Sequence, residues 1–189
     1  MANAPMSVIT ATQPLFGYLK GITKWAKVLE PDQYGKYSVN MYLDEDTLEE
    51  QTNAFNKVIS DAMAEVVEAG KKVAGMADFI KEDDEGNPFL SFKLDETKYD
   101  GSPNKIDMYN AFGKKVEDWN ELVGNGSTVK IKFMAKPYYM ASTKMVGVSL
   151  KFYAMQVIDL VKYSGGEDAG FGDETGGAPF DTDEDNSDF

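Results

Sequence analysis

Most of the chain alternates apolar and polar positions with period two, the pattern of half-buried strands. Residues 15–29 (LFGYLKGITKWAKVL) predict one long strand, bent at Gly17 or Gly21. The run from Glu30 through Pro31 to Gly35 has turn chemistry. Residues 36–43 alternate again, with Tyr37, Val39, Met41 and Leu43 on one face and Lys36, Ser38, Asn40 and Tyr42 on the other. At Asp44 the period changes. Leu48, Phe55, Ile59, Ala62, Met63 and Val66 recur at helical spacing. Thr47 and Glu50 fit a capping box, and Gly70 with Lys71 and Lys72 fits a helix end. A helix of about 20–25 residues is expected here, its apolar stripe packed against a sheet.

Residues 81–88 read as a solvated turn. Short strands are expected at 89–94, with Leu90, Phe92 and Leu94 inward, and at 106–112, on either side of a polar loop at 95–105. A tight turn at 113–115 and a short helical turn at 117–122 follow. The clearest pair is 128–140 with 145–162, joined by a hairpin at 141–144. Regular order is expected to end near Tyr163. Five or more strands with short antiparallel connections and one helix predict a mainly β fold, a small closed barrel or sandwich. The best fit is an oligonucleotide/oligosaccharide-binding (OB) barrel, five antiparallel strands in a Greek key with the helix after the second. The organisation expected is a folded domain at 1–163 and a disordered tail at 164–189, too poor in apolar groups to offset its ordering entropy.

Composition narrows the chemistry. The 189 residues include no Cys and no His. Disulfides, thiol nucleophiles, Cys- or His-built zinc sites and Ser-His-Asp triads are excluded. No apolar run reaches the roughly 18 residues of a membrane span, so no membrane partner is expected. The N-terminus lacks the basic start and apolar run of a signal peptide, so a cytosolic chain is expected. The net charge of −13 suggests a poor ligand for polyanions. The charges are segregated, however. Nine acids and no lysine lie beyond residue 163. The preceding part has 19 lysines against 23 acids, a net charge of −4. Every positive side chain is Lys, none Arg. A flexible point charge suits phosphate better than fixed base readout, so binding without sequence preference is the natural expectation.

On strand 128–140, Val129, Ile131 and Phe133 alternate with Lys130, Lys132, Met134, Lys136 and Tyr138, and Tyr139 follows. On the next strand, Val148, Leu150 and Phe152 oppose Ser149, Lys151 and Tyr153. Trp25 sits between Lys24 and Lys27, and Tyr34 and Lys36 flank a turn. Lysines and rings interleaved on exposed strand faces are what single-stranded nucleic acid requires: ammonium groups track phosphates and rings stack on unpaired bases. The tail closes with Asp181, Asp183, Glu184, Asp185 and Asp188 before Phe189. An aromatic group beside acids reads as an anchor for a pocket rimmed by lysine. The same tail can act as a polyanion mimic that competes for the basic groove.

Several runs in order carry a resemblance. These are Gly124-Asn-Gly-Ser-Thr-Val-Lys-Ile-Lys-Phe133, Lys136-Pro-Tyr-Tyr139, Val146-Gly-Val-Ser-Leu150 and Met155-Gln-Val-Ile-Asp-Leu-Val161. With Pro31-Asp-Gln-Tyr-Gly35, the following strand and helix, and the acidic tail ending in Phe189, the chain resembles the bacteriophage single-stranded-DNA-binding proteins with an OB fold. That resemblance implies single-stranded DNA as ligand and a role in phage replication, recombination and repair in the cytoplasm of an infected bacterium. It also implies the phage DNA polymerase and primase-helicase as partners through the tail. DNA contacts carry over to Tyr138, Lys93 and Trp25; Tyr42, on the polar face of the second strand, is a further candidate contact from its position. The loop after the first strand is short here, and Lys36 alone matches the family's basic loop residues. No cofactor, metal site or catalytic residue is assigned. Two other readings remain: an adaptor acting through its tail, and a Mg²⁺-dependent nuclease using Asp83-Asp84-Glu85 or Asp44-Glu45-Asp46.

Overall fold

The computed structural model describes residues 7–162. Eight strands and one helix follow the chain as β1 (Leu15–Lys27), β2 (Lys36–Tyr42), α1 (Glu45–Glu68), β3 (Gly75–Met76), β4 (Ile80–Glu82), β5 (Pro88–Asp95), β6 (Asp107–Tyr109), β7 (Thr128–Met140) and β8 (Met145–Asp159). Five of them close a barrel. β7, β1, β2 and β5 pair in that order, β8 pairs β7 along its length, and one bridge, Lys93 to Lys151, joins β5 to β8. The circuit β1-β2-β5-β8-β7 is the strand order of an OB barrel, with α1 inserted after the second strand.

The core comes from the period-two faces. Val39, Met41, Leu90, Phe92, Val129, Ile131, Phe133 and Phe152 are buried inside the barrel. Phe133 is central: its ring lies 5.6 Å from Phe92 and meets Phe55 of α1 edge-on at 5.8 Å. Helix α1 lays Phe55, Ile59, Ala62 and Val66 on the barrel, the stripe expected from sequence. Beyond it, Glu65 accepts hydrogen bonds from the backbone N–H groups of Thr10, Ala11 and Thr12, tying the segment before β1 to the helix.

Local expectations fail in several places, and the turn expected at 81–88 is shorter because Lys81 and Glu82 pair in β4 and Pro88 opens β5. The helix begins earlier: Asp44, not Thr47, is the N-cap, and its carboxylate accepts the Thr47 N–H at 2.8 Å. Residues 117–122 form no helical turn, because Trp119 Nε1 binds the Glu121 carbonyl and Val123 bridges Lys162. The expected strand at 106–112 stops at Tyr109, where Asn110 accepts from the N–H groups of Phe112 and Lys114 and turns the chain. Finally, β1 does not bulge at a glycine. Its register slips between Lys24 and Lys27, with Trp25 at φ 56°. Gly17 and Gly21 serve close approach instead: a Cβ at Gly21 would lie 2.7 Å from the Tyr42 carbonyl oxygen, and one at Gly17 3.0 Å from the Phe133 ring.

Candidate nucleic-acid interface

The single bridge between β5 and β8 leaves an open seam. Beside it lies a groove of about 960 Å³ lined by Tyr34, Lys98, Tyr99, Lys136, Lys151 and Tyr153. Each arrives by a distinct route. Lys136 is an outward position of β7, opposite Ser149. Lys151 and Tyr153 alternate outward on β8 while Leu150 and Phe152 point in. Tyr34 is held at the β1–β2 turn by Asp32, whose carboxylate accepts the Tyr34 and Lys36 N–H groups. Tyr99 is 98% exposed at the tip of the turn closed by Asp100 and Ser102. The floor of the groove is half-buried, and burial raises the Tyr153 hydroxyl pKa, so that ring stays neutral. Asp95 and Glu96 also line it, and Asp95 is held by Lys36.

A second hollow adjoins the groove through Lys136. It has about 770 Å³ and is lined by Lys71, Lys72, Lys136, Tyr138, Tyr139 and Lys144, with no acid among its walls. Lys71 and Lys72 stand where α1 ends and its carbonyls leave negative potential. The hydroxyl end of Tyr138 rests against Gly147, where a Cβ would come 2.7 Å from its oxygen. Tyr139 has the opposite parity: its hydroxyl donates to the Lys72 carbonyl at 2.8 Å, so it braces the helix end. Among the described residues, Lys93, Lys98, Lys136, Lys144 and Lys151 have no carboxylate within ion-pair distance.

The remaining sequence candidates fall elsewhere. Lys130 and Lys132 face outward near the other end of β7. Tyr42 stacks on Phe89 at 5.3 Å under Lys24 Nζ, 4.6 Å from its centroid, and Lys24 reaches Asp83. Burial first, and the hydrogen bond to Asp83 second, raise the Tyr42 pKa. Trp25 lies beyond Ile22, which pairs with Thr128 at the start of β7, whereas Tyr138 is ten residues on, roughly 33 Å of strand length at 3.3 Å per residue. Trp25 and Tyr138 therefore do not share a surface patch. Asp181, Asp183, Glu184, Asp185, Asp188 and Phe189 lie outside the described residues. Lys98, Tyr99, Lys71, Lys72 and Lys144 escaped the sequence reading because they sit in loops, where no period marks a face. The Lys98-Tyr99 pair was the available signal. The two acidic clusters have local structural partners: Asp83 accepts from the Glu85 and Asn87 N–H groups, which helps lower its pKa, and Asp44 caps α1.

The barrel order, the helix after its second strand and the outer groove define an OB-type fold. Among solved structures, the chain is similar to gp2.5, a single-stranded DNA binding protein encoded by bacteriophage T7. The TM-score is 0.68 at 21% identity, over 88% of this chain and 100% of that one. It is also similar to the single-stranded DNA-binding protein from bacteriophage Enc34, with a TM-score of 0.52 at 17% identity, over 82% of this chain and 90% of that one. A structure of the Enc34 protein in complex with ssDNA matches with a TM-score of 0.51 at 17% identity, over 79% of this chain and 90% of that one. At these identities the likeness establishes the shared fold. No family model and no curated protein matches the chain. Among the described residues, no helix is long and apolar enough to cross a membrane.

Proposed function

We propose that this chain is a non-catalytic single-stranded-DNA-binding protein of the bacteriophage OB-fold kind, binding without sequence preference along the seam groove and the adjoining hairpin hollow. The observation that carries this reading is the clustering of Lys136, Lys144 and Lys151, none within ion-pair distance of a carboxylate among the described residues, beside Tyr34, Tyr138 and Tyr153. Ammonium groups at that spacing follow a phosphate backbone, and the rings offer stacking faces that every base can use. The solved structures sharing this fold are single-stranded-DNA-binding proteins, one in complex with ssDNA, which supports the same ligand here. Residues 1–163 form the binding domain. Residues 164–189, with nine acids and Phe189, recruit the phage polymerase and primase-helicase and compete with DNA for the groove. The setting is replication, recombination and repair in the infected host's cytoplasm.

The test is a titration of oligo-dT against salt. The log–log slope should be about −0.7 for each phosphate neutralised, and the oligonucleotide should stay uncut with Mg²⁺. Affinity insensitive to salt would remove the electrostatic groove. Deleting residues 164–189 changes the net charge from −13 to −4 and removes a tethered competitor, so DNA binding should tighten. Equal affinities at low salt would leave the tail without that role. Loss of Phe189 alone should weaken partner binding and spare the competition.

A further inference from the structure

The register of β7 against β8 slips between Lys132 and Phe133. Inward parity on β8 therefore changes: Val146, Val148, Leu150 and Phe152 are buried before the slip, Met155 and Val157 after it. Two consecutive residues, Tyr153 and Ala154, are consequently both only partly buried on the outer wall. Tyr153 lines the seam groove. Ala154 lines a separate hollow of about 250 Å³, walled by Tyr18, Tyr109, Gly113, Lys130, Lys132 and Gln156. The bulge thus makes the two sites adjoin across one peptide bond.

The hollow has the parts a base and its phosphate need. Tyr18 is 64% exposed, and Lys130 Nζ sits 5.3 Å from its ring centroid. Tyr18 pairs with Lys132, and Lys20 with Lys130, so three ammonium groups and a ring occupy two adjacent rows. Among the described residues none of these lysines meets a carboxylate. Tyr109 enters from β6, which pairs with β8 at Gln156. The Gln156 amide donates to the Ala111 carbonyl at 3.1 Å, holding the turn that forms the rim, and its own carbonyl oxygen has no donor among the described residues. Phe112 tops that turn, 96% exposed. At 250 Å³ the hollow lies below the roughly 300 Å³ where small-ligand pockets begin, the scale of one unstacked base rather than a run.

We infer that this hollow is a second subsite for single-stranded DNA, taking one base between Tyr18 and Tyr109 where the strand leaves the seam groove over the β8 bulge. The inference rests on the proposed DNA-binding function and extends it: the bound strand turns around the barrel, and the site is longer than the seam. Its test separates the two. Binding of full-length protein to oligo-dT is measured from about 4 to about 16 nucleotides, the range covered by OB folds. The unsubstituted protein should keep gaining affinity after the seam is filled. Tyr18→Ala, an exposed position, should remove that late gain, weakening long oligomers about 5- to 150-fold if its ring stacks on a base, and leave the shortest unchanged. Lys130→Ala with Lys132→Ala should flatten the salt slope for long oligomers only. Equal loss at every length, or no loss at any, would overturn the second subsite and leave the seam groove standing. Unsubstituted protein that binds no oligomer would overturn both.

Discussion

Two surfaces of this barrel carry the same residue types and differ in whether their lysines are ion-paired. On the seam between β5 and β8, Lys136 and Lys151 stand beside Tyr34 and Tyr153 in a groove that Asp95 and Glu96 also line, yet neither they nor Lys93, opposite Lys151, lies within ion-pair distance of a carboxylate among the described residues. On the wall formed by the end of β1 with β2 and β5, Tyr42 stacks on Phe89 and Lys24 lies over the ring. There Asp83 meets the Lys24 ammonium, and at the border with the groove Asp95 meets Lys36. A lysine whose charge is already met gains less from a phosphate than a free one, and a ring covered by its neighbours offers no stacking face. Residue type nominates a nucleic-acid contact. The neighbours brought in by the fold decide whether it is available.

The contrast can be broken most strongly on the seam. Replacing Lys93, Lys136 and Lys151 together by Ala should make the salt slope of oligo-dT binding shallower by about 2, at about 0.7 per phosphate, read from titrations at several salt concentrations. Changing Lys24 and Lys36, whose ammonium groups already meet Asp83 and Asp95, should move it by less than half as much. Next in size, Tyr34→Ala should weaken binding by about 1–3 kcal/mol by fluorescence anisotropy, if its exposed ring stacks on a base. Tyr42→Ala should leave affinity nearly unchanged while lowering the melting temperature. A change at the border between the two surfaces should have a smaller effect. Asp95→Asn frees Lys36 at the groove edge, and binding should tighten by no more than about 1 kcal/mol, the scale of an exposed ion pair.

The smallest effect concerns a carboxylate whose donors are backbone N–H groups far away in sequence. Three backbone N–H groups, from Ala11, Thr10 and Thr12, hold the Glu65 carboxyl at a pKa of about 2, against an ordinary 4.5. A depressed folded-state pKa means the tie is fully present above pH 4.5 and is lost as pH falls toward 2. The protection of amides 10–12 against exchange, taken relative to the intrinsic rate at each pH, should therefore fall across that window, and Glu65→Gln should lower it at neutral pH without changing oligo-dT affinity. A matching loss of affinity would show that this strap also shapes the interface.

Much of the architecture was legible along the chain, for a physical reason. Strand faces repeat every two residues and helix faces every 3.6, so burying one face leaves an imprint that needs no partner to be read. The buried rows of β2, β5, β7 and β8, the α1 stripe and the helix after the second strand were all visible this way. So were the outward Lys136, Lys151 and Tyr153. Sequence alone also excluded thiol and imidazole chemistry and separated the acids of residues 164–189 from the lysines of the barrel. What only the tertiary structure decided lies where local pattern is silent. The closure of β5 on β8 by one bridge set the position of the groove. The slips at Trp25 and at Lys132 are single-residue events that alternation does not encode. Whether Lys36 is free or held, whether Tyr139 faces a ligand or the Lys72 carbonyl, and whether Trp25 joins Tyr138 or stands a strand's length away depend on residues distant in sequence. Those contacts are made by closing the barrel, and their energies come from neighbours that no window along the chain contains.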